Sequence, residues 1–70
     1  LSKQIQSSLQ ADTRYVEDPP SGISAPRSVV VKGVRRGRPV VTEVSDEDAA
    51  FLAAHPHFVE HQQRGFVKIV

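Results

Sequence analysis

Three histidines stand close together in the second half of the chain: His55, His57 and His61. His57 and His61 are four residues apart, so on a helix they would share a face and could offer two imidazoles to zinc or nickel. A third ligand is missing from the pattern, and the chain has no cysteine. The simpler reading is structural. His55 would close a first helix, and His57 and His61 would lie at the surface, with no metal and no cofactor expected. Acid–base catalysis needs carboxylates or imidazoles held in a cleft. Asp46, Glu47 and Asp48 are better read as residues that start a helix, and no serine–histidine–acid arrangement emerges from the spacing. Seventy residues also leave little room for a ligand pocket, which takes on the order of several hundred Å³. The chain is therefore read as non-enzymatic, with no catalytic residues.

The other group able to do chemistry is basic. Lys32, Arg35, Arg36 and Arg38 fall within seven residues, and on a hairpin tip they could grip phosphates. Aromatic side chains are not interleaved with them, so base stacking is not indicated. The net charge of +1 adds no argument for nucleic acid or a membrane surface. A solvated turn, or a turn that meets an acidic patch on a protein partner, explains the cluster better. A small nucleic-acid-associated regulator remains the alternative.

Local elements must position these groups. Ser28-Val29-Val30-Val31-Lys32-Gly33-Val34 is rich in β-branched residues and predicts a strand. Arg35-Arg36-Gly37-Arg38 predicts a hairpin connection in which Gly37 supplies a positive φ. Pro39 to Val44 predicts a second strand, antiparallel to the first. Ser45-Asp46-Glu47-Asp48 is a helix start. Ser45 can accept from the Asp48 amide, Asp48 can reach back to Ser45, and three acids suit the positive end of the helix dipole. The run Ala49-Ala50-Phe51-Leu52-Ala53-Ala54 continues that helix to about His55. Pro56 can open a second helix running to Arg64, Gly65 can cap it in the left-handed region, and Phe66 to Val70 predicts a closing strand. The fold class is α+β, a small ββααβ module over residues 28–70. Its expected core is Phe51, Leu52, Phe58, Phe66, Val67 and Ile69.

Residues 1–27 read differently, as an extended N-terminal arm. Leu1, Ile5 and Leu9 recur every four residues, which suggests a short helix near residues 1–10. Asp18-Pro19-Pro20-Ser21-Gly22 then forbids regular structure. Fixing a backbone costs about 1–2 kcal/mol per residue, so ordering such an arm costs on the order of tens of kcal/mol. Its large apolar residues are Leu1, Ile5, Leu9, Tyr15, Val16 and Ile23, and each returns only about 1.5–3 kcal/mol when buried. An arm folded on itself does not cover that cost. The expectation is that these six residues dock on other subunits, with Arg35, Arg36 and Arg38 making polar contacts beside them; the alternative is that residues 1–27 pack back on the 28–70 module, which has little spare surface.

Size points the same way. A chain this short buries a modest fraction of its surface and usually needs a staple. Disulfides are excluded by the absence of cysteine, which leaves association as the support. No apolar run approaches the roughly 20 residues of a membrane span.

The stretch from Arg35 to Val70 also carries a resemblance. The Arg-Arg-Gly-Arg turn, the strand, the run Val44-Ser45-Asp46-Glu47-Asp48-Ala49-Ala50-Phe51-Leu52, the His55-Pro56-His57-Phe58 break and the ending His61-Gln62-Gln63-Arg64-Gly65-Phe66-Val67 are similar to small Mu-like prophage and tailed-phage structural proteins. The resemblance implies a virion component: a head-decoration, minor capsid or tail accessory protein, assembled in the bacterial cytoplasm. Its partners would be other virion proteins or copies of itself in a large symmetric assembly. It supplies no catalytic residues. An adaptor subunit of a cellular complex is a further alternative.

Overall fold

The computed structural model describes residues 1–17 and 26–70. The proline-rich break and Ile23 lie outside the described residues. The class is α+β, and over residues 28–70 the elements follow in the expected order: strand, strand, helix, helix, strand. In the whole chain these are β3 (Ser28–Val31), β4 (Val40–Ser45), α1 (Asp46–Ala53), α2 (Pro56–Gln63) and β5 (Val67–Ile69). Two further strands precede them, β1 (Ser2–Ser7) and β2 (Thr13–Val16).

These two strands overturn the arm. Residues 1–10 form no helix. β1 is the central strand of a three-stranded antiparallel sheet in the order β4–β1–β5, and β2 pairs antiparallel with β3. The physical reason lies at Ser7. The residues of β1 and its extension that face inward are Ile5, Ser7 and Leu9, a period of two, and all three are buried. A serine at the middle position hides that alternation, and only the spacing of the leucines and isoleucine remains visible. Ser7 tolerates burial because its Oγ accepts the Leu9 N–H at 3.1 Å. Gln4 and Gln6 face outward, beside Glu43, Val41 and Lys68.

The hairpin turn closes at Arg35 and Arg38, whose N–H and C=O groups bond reciprocally at 3.1 and 3.0 Å. Gly37 takes the positive φ expected of it (73°), and Arg36 also lies in the left-handed region at 54°. Positive φ at both central residues is the type I′ pattern that suits strand twist. One step from the tip, the Lys32 N–H donates to Thr42 Oγ1 at 3.1 Å. The two arms then diverge, β3 to its ladder with β2 and β4 to its ladder with β1.

The helix ends follow local chemistry. Ser45 caps α1 by accepting the Asp48 N–H at 3.1 Å. The Asp48 carboxylate does not return the bond: it pairs with Arg27 at 2.7 Å. Pro56 opens α2 at its first turn. Gly65 (φ 83°) and Phe66 close it, donating to the carbonyls of Gln62 and His61 at 3.0 and 2.9 Å. Those two bonds satisfy end carbonyls as a Schellman motif does.

One apolar core joins both sheets and both helices: Ile5, Leu9, Tyr15, Val29, Val31, Val44, Ala49, Leu52, Phe58 and Val67. Of the expected core, Leu52, Phe58 and Val67 are buried, while Phe51 and Ile69 pack against its margin. Phe66 is a correction, since it is 41% exposed. Alternation along β5 turns Val67 inward and Lys68 outward, and Phe66, one residue before Val67, falls on the outer side with Lys68.

Candidate functional site

The expected partner residues separate into three groups. Ile5, Leu9 and Tyr15 are buried in the chain's own core and offer nothing to another subunit. They are corrected from docking pegs to core residues, because strand pairing of residues 1–17 turns them inward. Leu1 is fully exposed and Val16 is 40% exposed. The Val16 carbonyl is occupied, accepting His55 Nε2–H at 2.8 Å.

The arginines divide as well. Arg35 turns back on its own fold. Its guanidinium meets the Asp12 carboxylate at 2.9 and 3.2 Å, and it also donates to the Gly33 carbonyl at 2.8 Å. Asp12 accepts the Gly33 N–H at 2.8 Å as well. The Arg35 guanidinium and that amide hold the Asp12 carboxyl below its ordinary pKa, and the carboxylate raises that of Arg35. Arg35 is therefore a staple between the β1–β2 connection and the hairpin. The Arg36 and Arg38 side chains are exposed, with no hydrogen bond or ion pair among the described residues.

Beside the tip lies a shallow groove of about 220 Å³, floored by Pro39, Phe66 and Val67 and edged by Ser8, Gly65 and Lys68. The sheet explains how residues distant in sequence meet there. Ser7 pairs with both Val40 and Val67, so the next row brings Pro39, Ser8 and Phe66 together, and the Ser8 N–H donates to the Phe66 carbonyl at 2.8 Å. Among the described residues no carboxylate lines the groove. Arg38 adjoins it through Pro39, and exposed Arg64 adjoins it through Gly65.

The histidines have structural work. His55 closes α1 only through its backbone, its N–H donating to the Leu52 carbonyl at 3.0 Å just past the C-cap Ala54. It is the N-cap of α2, and its Nδ1 accepts the His57 N–H at 3.2 Å. With Nδ1 accepting, Nε2 carries the proton donated to Val16, which fixes one neutral tautomer. His61 is not a surface residue: its Nδ1 lies 2.6 Å from the Tyr15 hydroxyl. Burial raises the Tyr15 pKa to about 12, so the phenol keeps its proton, and its hydroxyl and the His61 imidazole share one hydrogen bond. Tyr15 also meets His55, Phe58 and His61 edge to face, at centroid distances of 5.5, 5.4 and 5.7 Å. His57 is exposed. Among the described residues no three histidine, aspartate or glutamate side chains converge as metal ligands.

A larger cleft of about 520 Å³ is bounded by Arg14, Val16, Glu17, Pro26, His55 and His57. Its one buried imidazole, His55, has both nitrogens committed. No described helix is long and apolar enough to cross a membrane. No protein-family model matches the chain, and no curated protein or solved structure matches it.

Proposed function

We propose that this chain is a non-catalytic structural subunit of a phage-like particle, and that it meets its neighbours through the hairpin tip and the adjoining groove. The observation that carries the reading is the conformation of Arg36. A left-handed φ at the first central position of a type I′ turn favours asparagine, aspartate or glycine. An arginine there costs stability of about 1 kcal/mol or more, and its side chain has no partner among the described residues to offset that. Strain of this kind is retained where a side chain must be presented outward. The imidazoles support the reading from the other direction, since His55 and His61 are used in holding α2 to β2. The virion setting rests on the resemblance of Arg35 to Val70.

The test is copy number in the native source. Native mass spectrometry and electron microscopy of the assembly containing this chain should find many equivalent copies in a symmetric particle. One copy bound to a cellular complex would make it an adaptor instead. A monomer or dimer bound to nucleic acid through Arg36 and Arg38 would make it a regulator.

A further inference from the structure

The three-stranded sheet carries opposite charge at its two ends. At one end are the tip arginines Arg36 and Arg38 and the groove that Lys68 lines over an apolar floor of Pro39 and Phe66, with exposed Arg64 next in sequence to its Gly65. At the other, Ser2 pairs with Ser45, and the Asp46 N–H donates to the Leu1 carbonyl at 3.3 Å. That end presents the carboxylates of Asp46 and Glu47, neither with a side-chain partner among the described residues, next to the fully exposed Leu1. β4 connects the two ends, and six residues of antiparallel strand span roughly 20 Å.

We infer that the groove beside the hairpin tip is a docking site for a second copy of this chain, which enters with its acidic sheet end. This contact rests on the structural-subunit reading and names the neighbour. Charge complementarity selects the occupant: Lys68 lines the groove, Arg38 and Arg64 are next in sequence to its lining residues, and no carboxylate among the described residues lines it, while the opposite end of the same molecule supplies acids without a side-chain partner among the described residues. A net charge of +1 leaves little overall repulsion between copies. Because the two surfaces differ, the contact is heterologous. It leaves an unused surface at each end of a pair, so growth continues until a ring closes or a filament forms.

Charge reversal tests this. One variant carries Arg36→Glu and Arg38→Glu, the other Asp46→Lys and Glu47→Lys. Sedimentation velocity of the unmodified chain at low salt should show association beyond a dimer, weakening on the order of tenfold or more at about 0.5 M salt. Each variant alone should be monomeric. Their equimolar mixture should associate again, since each then offers the other two opposite-sign contacts. Circular dichroism checks that both fold. Phe66→Ser, which alters an exposed side chain, should weaken association even if the acidic-end variant unfolds. A chain that stays monomeric at millimolar concentration and low salt overturns the inference, as does association unmoved by the tip variant and by Phe66→Ser. A chain that is monomeric alone but binds oligonucleotides in an Arg36/Arg38-dependent way also overturns it. A monomer that is still found in a symmetric particle overturns only the copy-to-copy contact and leaves the structural-subunit reading standing.

Discussion

Gly33 passes so close to Ala11 that a Cβ built on it would lie 2.5 Å from the Ala11 carbonyl carbon. The three nearest atoms, the Ala11 carbonyl carbon, Cα and carbonyl oxygen, all belong to backbone, so no side chain can swing away. Gly33→Ala should therefore cost about 1–3 kcal/mol, as overpacking does, and a urea melt would read the loss. At Tyr15 the prediction concerns pH. The phenol ionises near 10 in the unfolded chain and near 12 in the fold. Stability is thus intact below pH 10 and declines as pH rises toward 12, by no more than about 2–3 kcal/mol. Tyr15→Phe should remove this alkaline decline, and it should cost about 1 kcal/mol at neutral pH through the lost bond to His61. Asp12 has the opposite sign. Its depressed pKa contributes stability above pH 4 that is lost on acidification, and Asp12→Asn should flatten that part of the acid titration. Arg36→Asn relieves the turn and should raise stability by about 0.5–1 kcal/mol, while weakening whatever contact the tip makes.

At the scale of elements, what could be read from the chain was what its neighbours in sequence decide. Ser45 as a cap, Pro56 at a helix start, Gly37 and Gly65 at positive φ, and the order of elements over residues 28–70 are all local matters. Ser45→Ala should cost α1 about 1 kcal/mol, measurable as a lower melting temperature. What sequence did not reveal depends on distant partners. β1 was illegible because buried Ser7 breaks its apolar alternation. Phe66 was misplaced because strand parity, set by pairing with β1, turns it outward. The Tyr15–His61 bond joins residues 46 positions apart, and no local pattern announces it. The proposed interaction surface was legible in part. Arg36 and Arg38 were marked by charge, but the groove beside them exists only because β1 brings Pro39 and Phe66 to the same end of the sheet.

For the whole molecule, the decisive fact is that residues 1–17 belong to the body of the fold. β4 and β5 are joined only through β1, so removing residues 1–10 leaves two strands with no centre between them. Such a deletion should abolish the cooperative thermal transition by circular dichroism. Under the arm reading it would have left residues 28–70 folded. Phe58, with no exposed surface, is the matching point test. Phe58→Ala should cost about 3–5 kcal/mol, against a smaller loss at half-buried Phe51. The central place of β1 also sets the order of events in folding. Ile5 lies opposite Ile69, 64 positions later. Closing that separation forfeits chain entropy before any contact repays it, and topologies dominated by distant pairings fold slowly. A ribosome that has already released β1 must still make β5 before the sheet can close. β4 can cover one edge of β1 once it is made, but the edge that β5 will cover stays unpaired through that interval, in the state that invites aggregation. Its polar residues Ser2, Lys3, Gln4, Gln6 and Ser7 then act as protection during synthesis, keeping a strand destined for the centre of the sheet soluble until its last partner arrives.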